Sequence, residues 1–277
     1  MKVIAMCNQK GGVGKTTLTR ELGCYLAYAG EKVLLIDADG QANLTKSFFD
    51  DEPACGLYEA ILEGPGSPVT LTPVRENLKL LSGSIRLSLL ERQLAGEIDG
   101  YLKLKRLLVS EEFMRACAHG SSQADDSRAG GSDLIIIDTP PSLGILTGNA
   151  LAAADLLLIP ISPAQYSLQG TSDLLETMEK MRKTLNPRLA PLGVIVNAYS
   201  TITLISRELV GELRGVFGEL CFQEELGRSV RFEEAIAEKK GLVDLAGANW
   251  SKSREEVVAL GEAVMMRLGA RACESIS

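Results

Sequence analysis

The 277-residue sequence has a single histidine, no C-x-x-C pair and no run of 18 consecutive apolar residues. Each absence excludes something. The six cysteines, Cys7, Cys24, Cys55, Cys117, Cys221 and Cys273, are scattered, and the one histidine, just past Cys117, completes no ligand set, so neither a zinc site nor a disulfide framework is written into their spacing. They read as reduced thiols of a cytosolic protein. His119 opens a small polar stretch, HGSSQADDSRAGGS, where a solvated loop position is a better reading than a catalytic base. Without a long apolar run there is no transmembrane segment, and Met1-Lys2 leads straight into apolar residues, so no signal peptide is expected. The formal net charge is -7, from 29 Lys and Arg against 36 Asp and Glu. Bulk attraction to nucleic acid is therefore excluded, and any such contact needs a local patch.

What is present is a repeated alternation. Short apolar runs at Val3 to Met6, Val33 to Ile36, Leu134 to Ile137, Leu156 to Ile159 and Val194 to Val196 end in polar, Gly or Pro residues. Between them lie longer amphipathic stretches such as Thr16 to Ala29 and Ser167 to Leu185. Continuous apolar strands separated by helices imply a parallel sheet covered on both faces. The expected fold class is α/β, a single doubly wound domain over 1–277 with a mostly parallel twisted sheet. Gly64-Pro65-Gly66-Ser67-Pro68 and the stretch 119–132 read as loops, the second as a mobile one, and a C-terminal helix is expected over about 253–270.

The first apolar run is followed by Gln9-Lys10-Gly11-Gly12-Val13-Gly14-Lys15-Thr16-Thr17. A phosphate-cradling loop has the pattern G-x-x-x-x-G-K-[ST], and Gly14-Lys15-Thr16 supplies its second half, while Gln9 stands in place of the first glycine. Glycines 11, 12 and 14 let backbone N–H groups converge on phosphate oxygens at a helix N-terminus. Lys15 would meet the β- and γ-phosphates, and the Thr16 hydroxyl would ligate Mg²⁺.

A nucleotide site also needs acids. Leu134-Ile135-Ile136-Ile137-Asp138 places an aspartate at the carboxyl end of a strand, where open α/β sheets bind ligands. Asp37 and Asp39, spaced i and i+2 past another strand, point the same way if the chain stays extended, so both could approach a metal and an attacking water. The alternative for that pair is a solvated turn.

With these three elements in order, the chain resembles the ParA/MinD group of deviant Walker A ATPases, and within it the ParA/Soj chromosome and plasmid partition proteins. The resemblance is carried by Lys10 to Thr17, by Asp37-Ala38-Asp39-Gly40-Gln41-Ala42-Asn43 and by Ile137-Asp138-Thr139-Pro140-Pro141-Ser142-Leu143-Gly144. Pro160-Ile161-Ser162-Pro163, Tyr166-Ser167-Leu168-Gln169-Gly170 and Val230-Arg231-Phe232-Glu233-Glu234-Ala235 also match family segments. It implies a Mg²⁺-dependent ATPase that binds ATP and ADP through Lys10 to Thr17 and dimerises around the nucleotide. Lys10 would reach the nucleotide of the second subunit, as an arginine finger does. Asp39 matches the aspartate that positions the attacking water and stands near the metal, Asp138 the one that holds Mg²⁺ through water, and Asn197 a residue that contacts adenine. The family commonly has proline after the second aspartate. Gly40 stands here instead, which predicts a looser, more mobile turn and slow hydrolysis.

The resemblance further implies a cytoplasmic, nucleoid-associated homodimer that holds double-stranded DNA without sequence preference and releases it when a ParB-like partner stimulates hydrolysis. Arg207, Arg214, Arg228 and Arg231 are the candidate DNA contacts. Against them, the chain from Ser200 onward carries ten Lys and Arg to thirteen Asp and Glu, and Ile202 falls where relatives often carry a DNA-binding arginine. A MinD-like membrane-positioning ATPase is the alternative, because Val257, Leu260, Val264 and Leu268 form an apolar stripe. Glu255, Glu256 and Glu262 make it a poor interfacial helix, and core packing is the plainer reading. Metabolic and redox enzymes on the same fold form a third class. No cysteine follows Asp138 until Cys221, which argues against an intersubunit cluster.

Overall fold

The computed structural model describes residues 1–64, 66–118, 134–163, 168–199 and 204–274. The chain runs from β1 (Lys2–Met6) through α1 (Lys15–Tyr28) to β2 (Val33–Asp37), then α2 (Asn43–Phe48), α3 (Leu57–Glu63) and a hairpin of β3 (Thr72–Arg75) and β4 (Leu78–Leu81). Helices α4 (Leu87–Leu94), α5 (Lys103–Leu108) and α6 (Glu111–Ala118) precede β5 (Leu134–Asp138). The second half alternates α7 (Ile145–Ala153), β6 (Leu156–Ile161), α8 (Leu168–Thr184), β7 (Ala190–Tyr199), α9 (Leu204–Phe217) and β8 (Cys221–Gly227), and closes with α10 (Arg231–Ala237) and α11 (Ser251–Glu274).

These strands form one eight-stranded sheet in the order β3-β4-β2-β5-β1-β6-β7-β8. All neighbours are parallel except the β3–β4 pair at one edge. That hairpin and β8 escape the sequence reading. Pro73 sits in β3, and an edge strand tolerates proline because one of its sides makes no ladder hydrogen bonds, and β8 interrupts its apolar residues with Gln223, Glu224 and Glu225.

Every residue of β2 and β5 is buried, as a strand covered on both faces requires. The two-residue period divides the core. Ile135 and Ile137 join Leu90, Leu94, Leu146 and Leu151 on one face, while Leu134 and Ile136 join Leu18, Leu22 and Leu26 of α1 on the other. The four-residue spacing of those α1 leucines puts them on one stripe, each at most 1% exposed. Helix α11 packs on the same face. Val257, Leu260 and Val264 are buried and Leu268 packs against that core, so the stripe considered for a membrane surface is spent on the fold. Among the described residues no helix is long and apolar enough to cross a membrane.

Parallel strands bring their carboxyl ends to one edge. Met6, Asp37 and Asp138 end neighbouring strands, with Asp37 and Asp138 in register, and α1 leaves from the same edge.

Candidate functional site

The loop between β1 and α1 is shaped by its own polar groups. Asn8 Oδ1 accepts the Lys10 N–H at 3.0 Å, an Asx turn that bends the chain at the point where Gln9 replaces glycine. The loop ends at Gly14, the N-cap of α1, in the left-handed conformation at φ 86° and ψ 27°, which glycine adopts without steric cost. No side chain caps α1. Its first N–H groups therefore face the cleft as a site for an anion. Lys15 is 6% exposed, and its Nζ donates to the Lys10 carbonyl at 3.1 Å. Burial holds its pKa below the usual lysine value, against the opposing pull of Asp138.

The acids stand opposite. Asp138 is fully buried, its Oδ2 accepts the Thr16 hydroxyl at 2.7 Å, and its Oδ1 is buried with no hydrogen-bond partner among the described residues. Burial raises its pKa well above the carboxylate range and the neighbouring Asp37 adds to the shift, outweighing the Thr16 hydrogen bond and the Lys15 charge. The site as it stands has an excess of buried negative charge. A hard divalent cation answers that excess, and the oxygen-only set of Thr16, Asp138 and Asp39 suits Mg²⁺. Thr16 and Asp138 are the residues that would hold it.

Asp37 and Asp39 part company. Asp37 Oδ2 accepts both the N–H and the hydroxyl of Thr45, at 2.8 and 2.7 Å, and its Oδ1 accepts the Asp39 N–H at 3.2 Å. Thr45 Oγ1 in turn accepts the Gly83 N–H at 2.9 Å. Burial pushes Asp37 up to about 6, with those hydrogen bonds pulling the other way. The expectation that both aspartates face the metal is thus corrected: Asp37 is committed to the turn. Asp39 lines a cleft of about 570 Å³ together with Gly11, Gly12, Gly14, Lys15, Thr16 and Thr17.

Gly40 also differs from expectation. A Cβ on it would lie 2.4 Å from Ser88 Oγ of α4, so the turn is packed against that helix rather than loose. Two residues on, Ala42 takes φ 52°, a left-handed conformation that costs a non-glycine residue about 1–2 kcal/mol. Strain of this kind gathers at sites where a loop's shape matters.

The model of the CobQ/CobB/MinD/ParA nucleotide binding domain matches residues 4–243 of the chain. The chain belongs to that family. Within the CobQ/CobB/MinD/ParA family, it is 37% identical over 261 residues to the chromosome-partitioning ATPase Soj of Thermus thermophilus, covering 92% of this chain and 95% of that protein. It is 33% identical over 238 residues to the chromosome partitioning protein ParA of Caulobacter vibrioides, covering 85% and 84%. Among solved structures, the ATP complex of a Cyanothece McdA variant superposes with a TM-score of 0.77 at 25% identity, covering 97% of this chain and 96% of that one. The cobyrinic acid a,c-diamide synthase of Mycobacterium smegmatis, with bound ADP and magnesium, superposes at 0.69 with 29% identity, covering 86% and 93%.

Elsewhere this ParA/MinD-family chain departs from what its sequence suggests. The Asn197 side chain is turned to the phosphate loop, its Nδ2 donating to the Val13 carbonyl at 2.7 Å. Of the four arginines, Arg214 pairs with Glu225 at 2.6 Å and also donates to the Gln223 carbonyl. Arg231 pairs with Glu234 and lies 5.5 Å from the centre of the Trp250 ring. Arg228 is exposed and makes no ion pair among the described residues. The side chain of Arg207, on α9, lies outside the described residues, as do Ile202, His119 and the loop 119–132.

Three residues with work at the site were missed. Asn8 had a local signal, an asparagine two residues before the turn it makes. Thr45 and Arg20 had none. Arg20 is 1% exposed, pairs with Glu21, and donates to the Ala235 and Lys240 carbonyls, tying α1 to α10 and to the segment after it.

Proposed function

We propose that the chain is an ATP-dependent partition switch of the ParA/Soj kind, hydrolysing ATP to ADP and phosphate as a homodimer. The observation that carries this reading is the unequal standing of two lysines in one loop. Lys15 is buried against the loop's own carbonyl beside Thr16 and Asp138, whereas Lys10 is half-buried at the exposed Gly11-Gly12 turn. One cation serves the nucleotide held by its own subunit. The other stands where a second subunit would meet the loop.

The roles follow from position. The N-terminus of α1 and the amides of Gly11, Gly12 and Gly14 receive the phosphates, and Lys15 neutralises them. Mg²⁺, when bound, would withdraw charge from the phosphoryl oxygens. Asp39, whose Oδ1 also accepts the Gln41 N–H at 2.9 Å, orients the attacking water from the cleft wall. Lys10 of each subunit stabilises the charge that develops on the other's γ-phosphoryl.

DNA held by the ATP dimer, a ParB-like partner that stimulates hydrolysis, and a place on the nucleoid complete the proposal. Arg228 is the strongest candidate contact, with Arg207 next to be tested. Arg214 and Arg231 would each have to leave a carboxylate, so a shallow salt slope is expected, about 0.9 log units per phosphate neutralised. The likeness to the diamide synthase favours a metabolic ATP-dependent enzyme as a second reading. The 92% coverage of the chain by the match to the chromosome-partitioning ATPase Soj favours partition. Gel filtration with ADP, ATP, and ATP plus random duplex, using Asp39→Ala to block hydrolysis, tests the proposal. A dimer with ATP that retains DNA is expected. Persistent monomer overturns the dimer, and a dimer that ignores DNA at low salt leaves the metabolic reading in possession.

A further inference from the structure

The phosphate loop is held at both ends by an asparagine amide from a buried position. At the entry, Asn8 is 8% exposed, its Oδ1 accepts the Lys10 N–H, and its Nδ2 donates to the Pro160 carbonyl of β6 at 2.7 Å. At the exit, Asn197 of β7 is 6% exposed, and its Nδ2 donates to the Val13 carbonyl. The fit there is close: a Cβ on Gly14 would lie 1.8 Å from Asn197 Nδ2. Glycine at 14 is thus required twice, by its left-handed backbone and by the amide packed against it.

Peptide planarity converts these contacts into an aim for the donors. In a trans peptide the C=O and the following N–H point in opposite directions. With the Val13 carbonyl drawn to Asn197, the Gly14 N–H is turned to the other side, toward the cleft. A neutral amide suits this task. A lysine would bring a competing charge, and an aspartate has no N–H to give the carbonyl.

We propose that Asn8 and Asn197 are positioning residues that fix the phosphate loop in its anion-receiving shape, and that Asn197 acts on the loop rather than on the nucleotide base. The proposal rests on the nucleotide-site reading for its effect on binding, though not for its effect on the loop. It assigns Asn197 a different role from the adenine contact that the family resemblance implies.

Binding of ATP, GTP and inorganic tripolyphosphate to the full chain, wild type against Asn197→Ala and Asn8→Ala, separates the two roles. Loop positioning predicts that all three ligands weaken together, by about tenfold for the loss of one buried hydrogen bond, with the ATP to GTP ratio preserved. A base contact predicts a loss for ATP, a changed ratio, and unaltered tripolyphosphate binding, which would overturn the proposal. Hydrogen exchange of the Leu18 amide, which donates to the Gly14 carbonyl at 2.9 Å, supplies a readout that needs no nucleotide. It should quicken in Asn197→Ala while amides in β2 stay unchanged, and unchanged Leu18 exchange refutes the clamp. Should Asn197→Ala fail to fold, Asn197→Asp fills the same space without a donor and takes its place. If the wild-type chain binds none of the three ligands, the nucleotide reading falls and the exchange comparison still decides the clamp.

Discussion

Asp138→Asn should make the chain more stable in magnesium-free buffer at pH 8 while removing its response to magnesium. Asp138 has one oxygen bonded to Thr16 and one with no partner among the described residues, and Asp37 ends the neighbouring strand in register. Asparagine keeps an oxygen for Thr16 and removes the buried charge. A neutral amide left short of a partner costs less than a carboxylate in the same place, and a buried group without its partner costs about 1–3 kcal/mol, more when charged. A net gain of about 2 kcal/mol would raise Tm by roughly 4–8 °C in a domain of this size. The sign follows from the raised pKa. Burial, and after it the charge of Asp37, hold the Asp138 carboxyl well above its unfolded-state pKa, so the folded chain holds more protons than the unfolded one between those two values. Stability falls as pH rises through that window and stays low above it. The advantage of Asp138→Asn should therefore be largest at pH 8 and shrink toward pH 4. With saturating Mg²⁺ and ATP the order should reverse, because ligand at about 100 times its Kd adds about 2.7 kcal/mol to the wild type. Thermal melts with EDTA and with Mg²⁺-ATP, at pH 4.5 and 8, measure all of this. A variant that melts below the wild type at pH 8 in EDTA refutes the reasoning.

Gly40→Ala should destabilise by about 1 kcal/mol, the low end for an overpacked site, because the close atom is the rotatable Ser88 hydroxyl, and Ser88→Gly in the same chain should recover part of it; denaturant melts of the single and double variants decide, and additivity would show that the two do not touch. Lys10→Ala should keep nucleotide binding within about tenfold yet lose hydrolysis, read by parallel binding and phosphate-release assays. Undiminished turnover would remove Lys10 from the reaction. Cys7, pushed up to about 11 by burial, and the buried Cys24 should resist iodoacetamide at pH 8, whereas exposed Cys55 should alkylate in the native chain. Mass spectrometry of the labelled peptides checks it, and rapid labelling of Cys7 would show that the floor of the phosphate loop opens.

The parallel sheet and the phosphate loop were legible because their signals are local. Four apolar residues before Asp138 and four before Asp37, each run closed by a polar end, read as buried strands, and Gly14-Lys15-Thr16 after a strand leads into a helix. The β3–β4 hairpin was not legible, since its strands are four residues each and one contains Pro73. Gly40 was misread because its turn packs against Ser88, which the chain brings back only through α4. The arginines looked like a patch in one dimension. Arg214 found Glu225 on a neighbouring strand, and Arg231 found Glu234 one turn along its own helix.

By itself, then, the sequence determined periodicity, the glycine loop and the acids at strand ends, since each depends on residues within a few positions of one another. Tertiary structure alone decided which of two aspartates faces the cleft, that one oxygen of Asp138 is left without a partner, and that Asn197 reaches Val13 across 184 positions. Those outcomes depend on strand order and register, and so on which side chains meet once the sheet has closed its two faces.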